Sequence, residues 1–227
     1  IYAGVQKLLP GHALQVHRDG RVEKSAWWTL PQTAVLHSSH GEAAERLQGL
    51  LDHAVQAQLQ SDVPVGALLS GGFDSGMIVA SAAGKCPVLH TYSVGFDDSR
   101  QFNELPIARS LADRYGTIHH ERIIAGDEVM GMLDAAIGGM SEPVADSAMV
   151  PTWCLSRMAA EDGVKVLLSG TGGDEVFAGY PRYVASSWRR RLLYRLPAAL
   201  RQLIGQALPV SGTLAARMLH PALDMVV

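Results

Sequence analysis

The chain has 227 residues, of which 48% are hydrophobic and 18% charged, and carries a formal net charge of −3 at pH 7. That length and apolar content fit one large core, or one core with part of a second, and exclude a disordered chain. The near-neutral balance gives no reason to expect nucleic acid or an anionic membrane as the main partner, and no apolar run reaches the ~18 residues of a membrane span. No positively charged leader opens the chain, so the expected address is cytoplasmic. The start at Ile1 and the end at Val227 lead us to expect a piece of a longer polypeptide. Cys86 and Cys154 lie far apart in apolar surroundings, which reads as two buried free thiols in a reducing compartment.

In chain order, Ala13 to His17 alternate apolar and polar, Arg18-Asp19-Gly20 makes a turn, and Arg21 to Trp27 is again extended. This predicts a hairpin. Pro31 and Ser38-Ser39 follow as a linker, and then Ala43, Leu47, Leu50, Leu51, Ala54, Val55 and Leu59 recur at helical spacing. From Val65 onward short apolar strands alternate with helices. Strands are predicted at Val65 to Leu69, Val88 to Val94, Thr117 to Ile123 and Val164 to Leu168. Helices are predicted at Ser75 to Ala83, Glu104 to Tyr115, Asp127 to Ile137 and Pro151 to Asp162. The fold class is therefore α/β: a parallel twisted sheet with helices on both faces, binding ligands beyond the carboxyl ends of its strands. After Tyr180 the chain reads as helical and rich in arginine, from Arg182 to Arg217. That segment is either a solvated basic face or a contact for polyphosphate, an acidic domain or a partner.

Two loops leaving strand ends carry chemistry. The first, Ser70-Gly71-Gly72-Phe73-Asp74-Ser75, lies between a strand and a helix. Its paired glycines let backbone approach an anion, its hydroxyls add hydrogen bonds, and the following helix presents amides to negative charge. Asp74 would repel a polyphosphate unless a cation lay between them, so Mg²⁺ is expected there. The loop lacks the Gly-Lys-Ser/Thr of the common phosphate loop. It suits a pyrophosphate held by amides, hydroxyls and magnesium better than γ-phosphoryl transfer. The second loop, Ser169-Gly170-Thr171-Gly172-Gly173-Asp174-Glu175, repeats the glycine-rich, acid-ended pattern. Asp174 is a second metal ligand or, with Glu175, a helix cap.

In their order along the chain, these residues resemble the synthetase domain of the glutamine-hydrolysing asparagine synthetases. The resemblance is carried by Leu68-Leu69 with the Ser70 loop, Tyr92-Ser93-Val94-Gly95-Phe96, Glu142-Pro143 with Asp146, and Ser169 to Glu175 followed by Val176-Phe177-Ala178-Gly179-Tyr180. Pro10-Gly11-His12 and Trp27-Trp28 resemble the closing hairpin of that family's amino-terminal glutaminase domain and its linker. The resemblance implies an adenine nucleotide α-hydrolase-like sheet in three parts: 1–30 as closing hairpin and linker, 40–180 as ATP-pyrophosphatase domain, and 181–227 as a truncated helical extension. It implies ATP contacts at Leu68, Ser70, Gly71, Gly72, Asp74, Ser75, Val94, Ser169 and Gly170, and Mg²⁺ on Asp74 and Asp174. The implied chemistry is adenylation of a carboxylate, aspartate or an analogue, followed by amidation with glutamine-derived ammonia. The implied partners are that small-molecule carboxylate and the ammonia, with the glutaminase domain missing from this chain.

Three departures qualify what the resemblance implies. Thr171 stands where the family commonly has a glutamate, Phe73 and Gly76 replace leucine and serine, and the glutaminase cysteine and a far carboxyl-terminal lysine are missing. The acceptor therefore stays open, and so does a catalytically silent nucleotide-binding module. Other ATP pyrophosphatases share the Ser-Gly-Gly-x-Asp-Ser pattern but lack the segment from Ser169 to Tyr180. Glu142 and Asp146 either read an acceptor's amino group or cap a helix. Asp97 to Glu104 would either cap the nucleotide pocket or form a solvated loop. His119 and His120 are adjacent on a strand and point to opposite faces, so they are not expected to share a metal.

Overall fold

The computed structural model describes residues 2–30, 38–97, 103–142, 144–181 and 183. The linker around Pro31, most of the acidic stretch before Asn103, and nearly all of the arginine-rich segment expected to be helical lie outside the described residues.

The predicted hairpin forms from β1 (His12–Val16) and β2 (Val22–Ala26), antiparallel with Val16 opposite Val22. Gly20 sits at φ +86° in its turn, and Asp19 accepts the Arg21 amide at 3.0 Å. Leu14, Val16 and Val22 are all exposed. Helix α1 (His40–Gln58) opens on a capping box in which Ser39 accepts the Glu42 amide and Glu42 accepts the Ser39 amide at 2.9 Å. The bond from the Ser39 backbone holds the Glu42 carboxyl below its ordinary range.

The larger sheet is built from β3 (Val65–Leu68), β4 (His90–Phe96), β5 (Ile118–Ile124) and β6 (Val166–Leu168). All are parallel, in the order β5-β4-β3-β6. Their period-two alternation divides the core. Ala67 and Leu69 pack with Val55 of α1 and with Val79, Ala82, Ala108 and Ala112 of α2 (Phe73–Ala83) and α3 (Leu105–Tyr115). On the other face Leu68, Tyr92 and Leu167 meet Leu155, Met158 and Ala159 of α5 (Met149–Glu161), which follows α4 (Gly126–Gly138). Helices thus cover both faces, as expected for a parallel sheet. Cys154 is buried and Cys86 half-buried, both are free thiols, and burial pushes both thiols up.

The chain steps outward from β3 to β4 and β5, then returns through α4 and α5 to lay β6 on the opposite side of β3. The loops after β3 and β6 therefore leave neighbouring strands in different directions, which opens a crevice at the carboxyl edge. Most boundaries shift by one or two residues from the sequence reading: β4 begins at His90 rather than Val88, β6 at Val166 rather than Val164, and α5 at Met149 rather than Pro151. Helix α2 begins at Phe73, two residues before the expected start, and α6 (Gly173–Phe177) occupies the end of the expected second loop. Five residues are too few for apolar periodicity to register. Among the described residues no helix is long and apolar enough to cross a membrane.

Candidate functional site

The first loop is organised around Ser75. Its hydroxyl accepts the Ser70 amide at 3.1 Å, exchanges a hydrogen bond with the Ser70 hydroxyl at 2.8 Å, and lies 3.2 Å from the carbonyls of Ser70 and Gly72. Ser70 Oγ in turn accepts the Gly72 amide at 3.1 Å. Behind the loop, the buried Ser93 hydroxyl donates to the Leu69 carbonyl. Gly72 is the N-cap of α2 and supplies no side-chain bond. The first turn of α2 therefore lacks a side-chain cap of its own, the condition in which a helix N-terminus accepts an anion.

The second loop is placed by what its glycines lack. A Cβ added at Gly170 would stand 2.8 Å from the Ser75 amide nitrogen and 3.0 Å from the Asp74 carbonyl carbon. One added at Gly173 would fall on the Asp74 carboxylate, and one at Gly179 on the Asp174 carboxylate. Gly172, at φ +98°, turns the chain into α6. Within the loop Ser169 Oγ donates to Thr171 Oγ1 at 2.9 Å and accepts the Thr171 amide at 3.3 Å. At its far end the Tyr180 hydroxyl donates to Glu175 at 3.0 Å.

Between the loops lies a cavity of about 710 Å³. Leu68, Ser70, Gly72, Asp74, Ser75, Val94, Ser169, Gly170, Thr171 and Asp174 all border it. The structure thus brings together all the residues singled out in the two loops and on β3 and β4 except Gly71. The Gly71 amide faces away, donating to Glu104 Oε2 at 3.1 Å, and a Cβ there would stand 3.0 Å from that of Glu104. Glu104, the N-cap of α3, also borders the cavity. The acidic stretch before α3 therefore does reach the pocket, through this one described carboxylate.

Glu142 and Asp146 do not border the cavity. Glu142 pairs with Lys7 at 2.6 Å, and Asp146 accepts the Ala148 amide at 2.9 Å in the turn that starts α5. Ala148 is the N-cap of α5, which has no side-chain cap, so Asp146 braces the turn before the helix. Phe73, which stands where the family has leucine, borders the cavity and is 79% exposed. Sequence reasoning did not assign Tyr92 to the wall, although it lies two residues before Val94 on the same face of β4.

The donor set fits a polyphosphate carried with a divalent cation. Asp74, Glu104, Asp174 and Glu175 border the cavity, and no lysine or arginine does so among the described residues. An anion entering this wall of carboxylates requires a hard cation bridging it to oxygen ligands. Asp74 and Asp174 make no ion pair with a basic side chain among the described residues.

Fold and site together define a parallel α/β protein with an acidic cavity where two glycine-rich loops meet. The chain belongs to the asparagine synthase family, whose family model matches residues 46–225. It is 34% identical over 217 residues to a Methanocaldococcus jannaschii protein provisionally described as glutamine-hydrolysing asparagine synthetase 2, covering 94% of this chain and 41% of that protein. It is 30% identical over 202 residues to glutamine-hydrolysing asparagine synthetase 1 of Bacillus subtilis, covering 89% of this chain and 31% of the relative. The chain thus spans about a third to two-fifths of the length of these curated relatives. A glutamine-dependent NAD+ synthetase structure from Acinetobacter baumannii with ADP is a looser likeness, with a TM-score of 0.45 and 17% identity over 87% of this chain and 40% of that one.

Proposed function

We propose that this chain carries the carboxylate-activating site of an ATP-dependent, amide-forming ligase of the asparagine synthetase type. The observation that carries the reading is the contact of the two loops, Gly170 on the Ser75 amide and Gly173 on the Asp74 carboxylate, within one cavity. In this reading the substrate carboxylate attacks the α-phosphorus of ATP, and the bond to the β-phosphate oxygen breaks to release pyrophosphate. Glutamine-derived ammonia then displaces AMP to form the amide. Ser70, Ser75 and the first turn of α2 hold the pyrophosphate oxygens, while Leu68, Val94 and Tyr92 supply apolar wall for the nucleoside. Mg²⁺ held by Asp74 and Asp174 would neutralise phosphate charge and make pyrophosphate a better leaving group.

In this reading residues 1–30 correspond to the closing hairpin of a glutaminase half, 40–180 to the synthetase domain, and 181–227 to its carboxyl-terminal extension. Thr171, tied to Ser169, offers no acidic group for the amidation step, so the acceptor is left open between free aspartate and other carboxylates. The test is exchange of labelled pyrophosphate into ATP by the full-length protein over a panel of carboxylates. The expected outcome is exchange with one of them and a loss of at least about 100-fold in Asp74→Ala, the scale of removing one electrostatic stabiliser of a transition state. Exchange unchanged in that variant overturns the metal assignment, and ATP binding with no exchange on any carboxylate favours a silent nucleotide-binding module.

A further inference from the structure

On the α5 face of the sheet, outside the loops, three side chains converge from three elements. His90 opens β4, His120 lies on β5, and Asp162 follows α5 as its C-cap. His90 Nδ1 faces His120 Nε2 at 3.0 Å, and the far nitrogen of the same ring, His120 Nδ1, lies 3.1 Å from Asp162 Oδ2. His120 is fixed between two aromatic neighbours, stacked on His90 with ring centroids 5.3 Å apart and on Tyr92 at 4.8 Å. The Tyr92 hydroxyl is buried beside Asp162 without the geometry of a hydrogen bond.

Each of these features has a counterpart in a histidine metal centre. With Nδ1–H of His120 given to the carboxylate, its Nε2 presents a lone pair toward His90. A carboxylate on the far nitrogen is the usual support of a metal-bound histidine, since it sets the tautomer and the ring plane. Two nitrogens on one tetrahedral zinc ion, each at about 2.0–2.1 Å, stand roughly 3.3 Å apart, close to the separation here. His120 and Asp162 are partly open, with side chains 27% and 34% exposed, so water can complete the coordination. His119, the sequence neighbour, turns to the opposite face and bonds to Thr91 at 2.8 Å and Glu121 at 3.1 Å. The partner of His120 is supplied by the adjacent strand.

We propose that His90 Nδ1 and His120 Nε2 bind one borderline divalent ion, zinc by its preference for imidazole, with Asp162 orienting His120 from its other nitrogen, so that the site joins β4, β5 and the end of α5. The site is separate from the magnesium carboxylates and does not depend on the nucleotide reading. Tyr92, which borders the cavity with one part of its ring and stacks on His120 with another, stands between the two.

The experiment titrates the whole, chelator-stripped protein with Zn²⁺, and with Co²⁺ for its visible absorption, in excess Mg²⁺ and without nucleotide. The expected result is one equivalent bound with a four- or five-coordinate Co²⁺ spectrum. Affinity should fall at least about tenfold in Asp162→Asn, the scale of losing a supporting carboxylate, and binding should be lost in His90→Asn. His120→Asn removes a stacked, half-buried ring and can fail to fold. Asp162→Asn, the exposed C-cap, and His90→Asn therefore decide, each checked for native circular dichroism. Absence of the Co²⁺ spectrum up to millimolar metal, or affinity unchanged in either variant, overturns the proposal and leaves a shared proton between the two rings.

Discussion

The loop after β3 keeps its shape through side-chain hydrogen bonds, whereas the loop after β6 keeps its place through the side chains it lacks. In the first, one hydroxyl on Ser75 gathers the backbone of Ser70 and Gly72 into a turn that stands without help from the second. In the second, the side chains of Ser169 and Thr171 bond to one another among the described residues, and the closest contacts with the first loop are those of Gly170 and Gly173. Hydrogen bonds shape a loop internally. Missing methyl groups allow two backbones to meet, and the meeting brings Asp174 to the cavity that Asp74 already borders.

The contrast is broken most directly at Gly170. In Gly170→Ala the new methyl meets backbone at 2.8 Å, and backbone cannot rotate aside. The expected outcome is a loss of about 1–3 kcal/mol in urea unfolding, the scale of overpacking, together with loss of ATP binding by calorimetry. Gly173→Ala sharpens the comparison, because there the methyl meets the Asp74 side chain, which can turn away. Its stability should change far less, while Mg²⁺-dependent ATP binding falls as steeply.

Ser75→Ala comes next in size. Removing the hydroxyl frees the Ser70 amide and the Ser70 hydroxyl at once, and about 1–2 kcal/mol of stability should go with them. Equal losses in Ser75→Ala and Thr171→Ala would erase the distinction between the loops, since Thr171 is exposed and its variant is expected to be near neutral. Glu104→Gln is the smallest effect and has the opposite sign. The amide can still meet the Gly71 N–H, but one negative charge leaves the cavity wall. ATP should bind about threefold more tightly at low salt, and the gain should shrink as salt is added.

Much of the fold was legible because burial in a two-sided sheet imprints the sequence. Ala67 and Leu69 go to one face and Leu68 and Tyr92 to the other, so the strands read as continuous apolar runs. The loops were legible because glycines beside hydroxyls and carboxylates have few structural uses at a strand end. Contacts that cross elements were not. Glu104 reaches Gly71 across 33 positions, and His90 reaches His120 across 30, with no local pattern to mark either. Asp146 shows the reverse difficulty, since a carboxylate that braces a turn and one that reads a ligand have the same one-letter signature.

The strand order also makes the two sides of the cavity unequal in stiffness. β3 is bonded to neighbours on both sides, while β6 pairs with β3 over three residues, from Val166 to Leu168. Asp74 is therefore anchored to the middle of the sheet and Asp174 to a short outer rung. A shift along β6 or α6 is therefore expected to change the gap between Asp74 and Asp174 more than it disturbs the loop after β3.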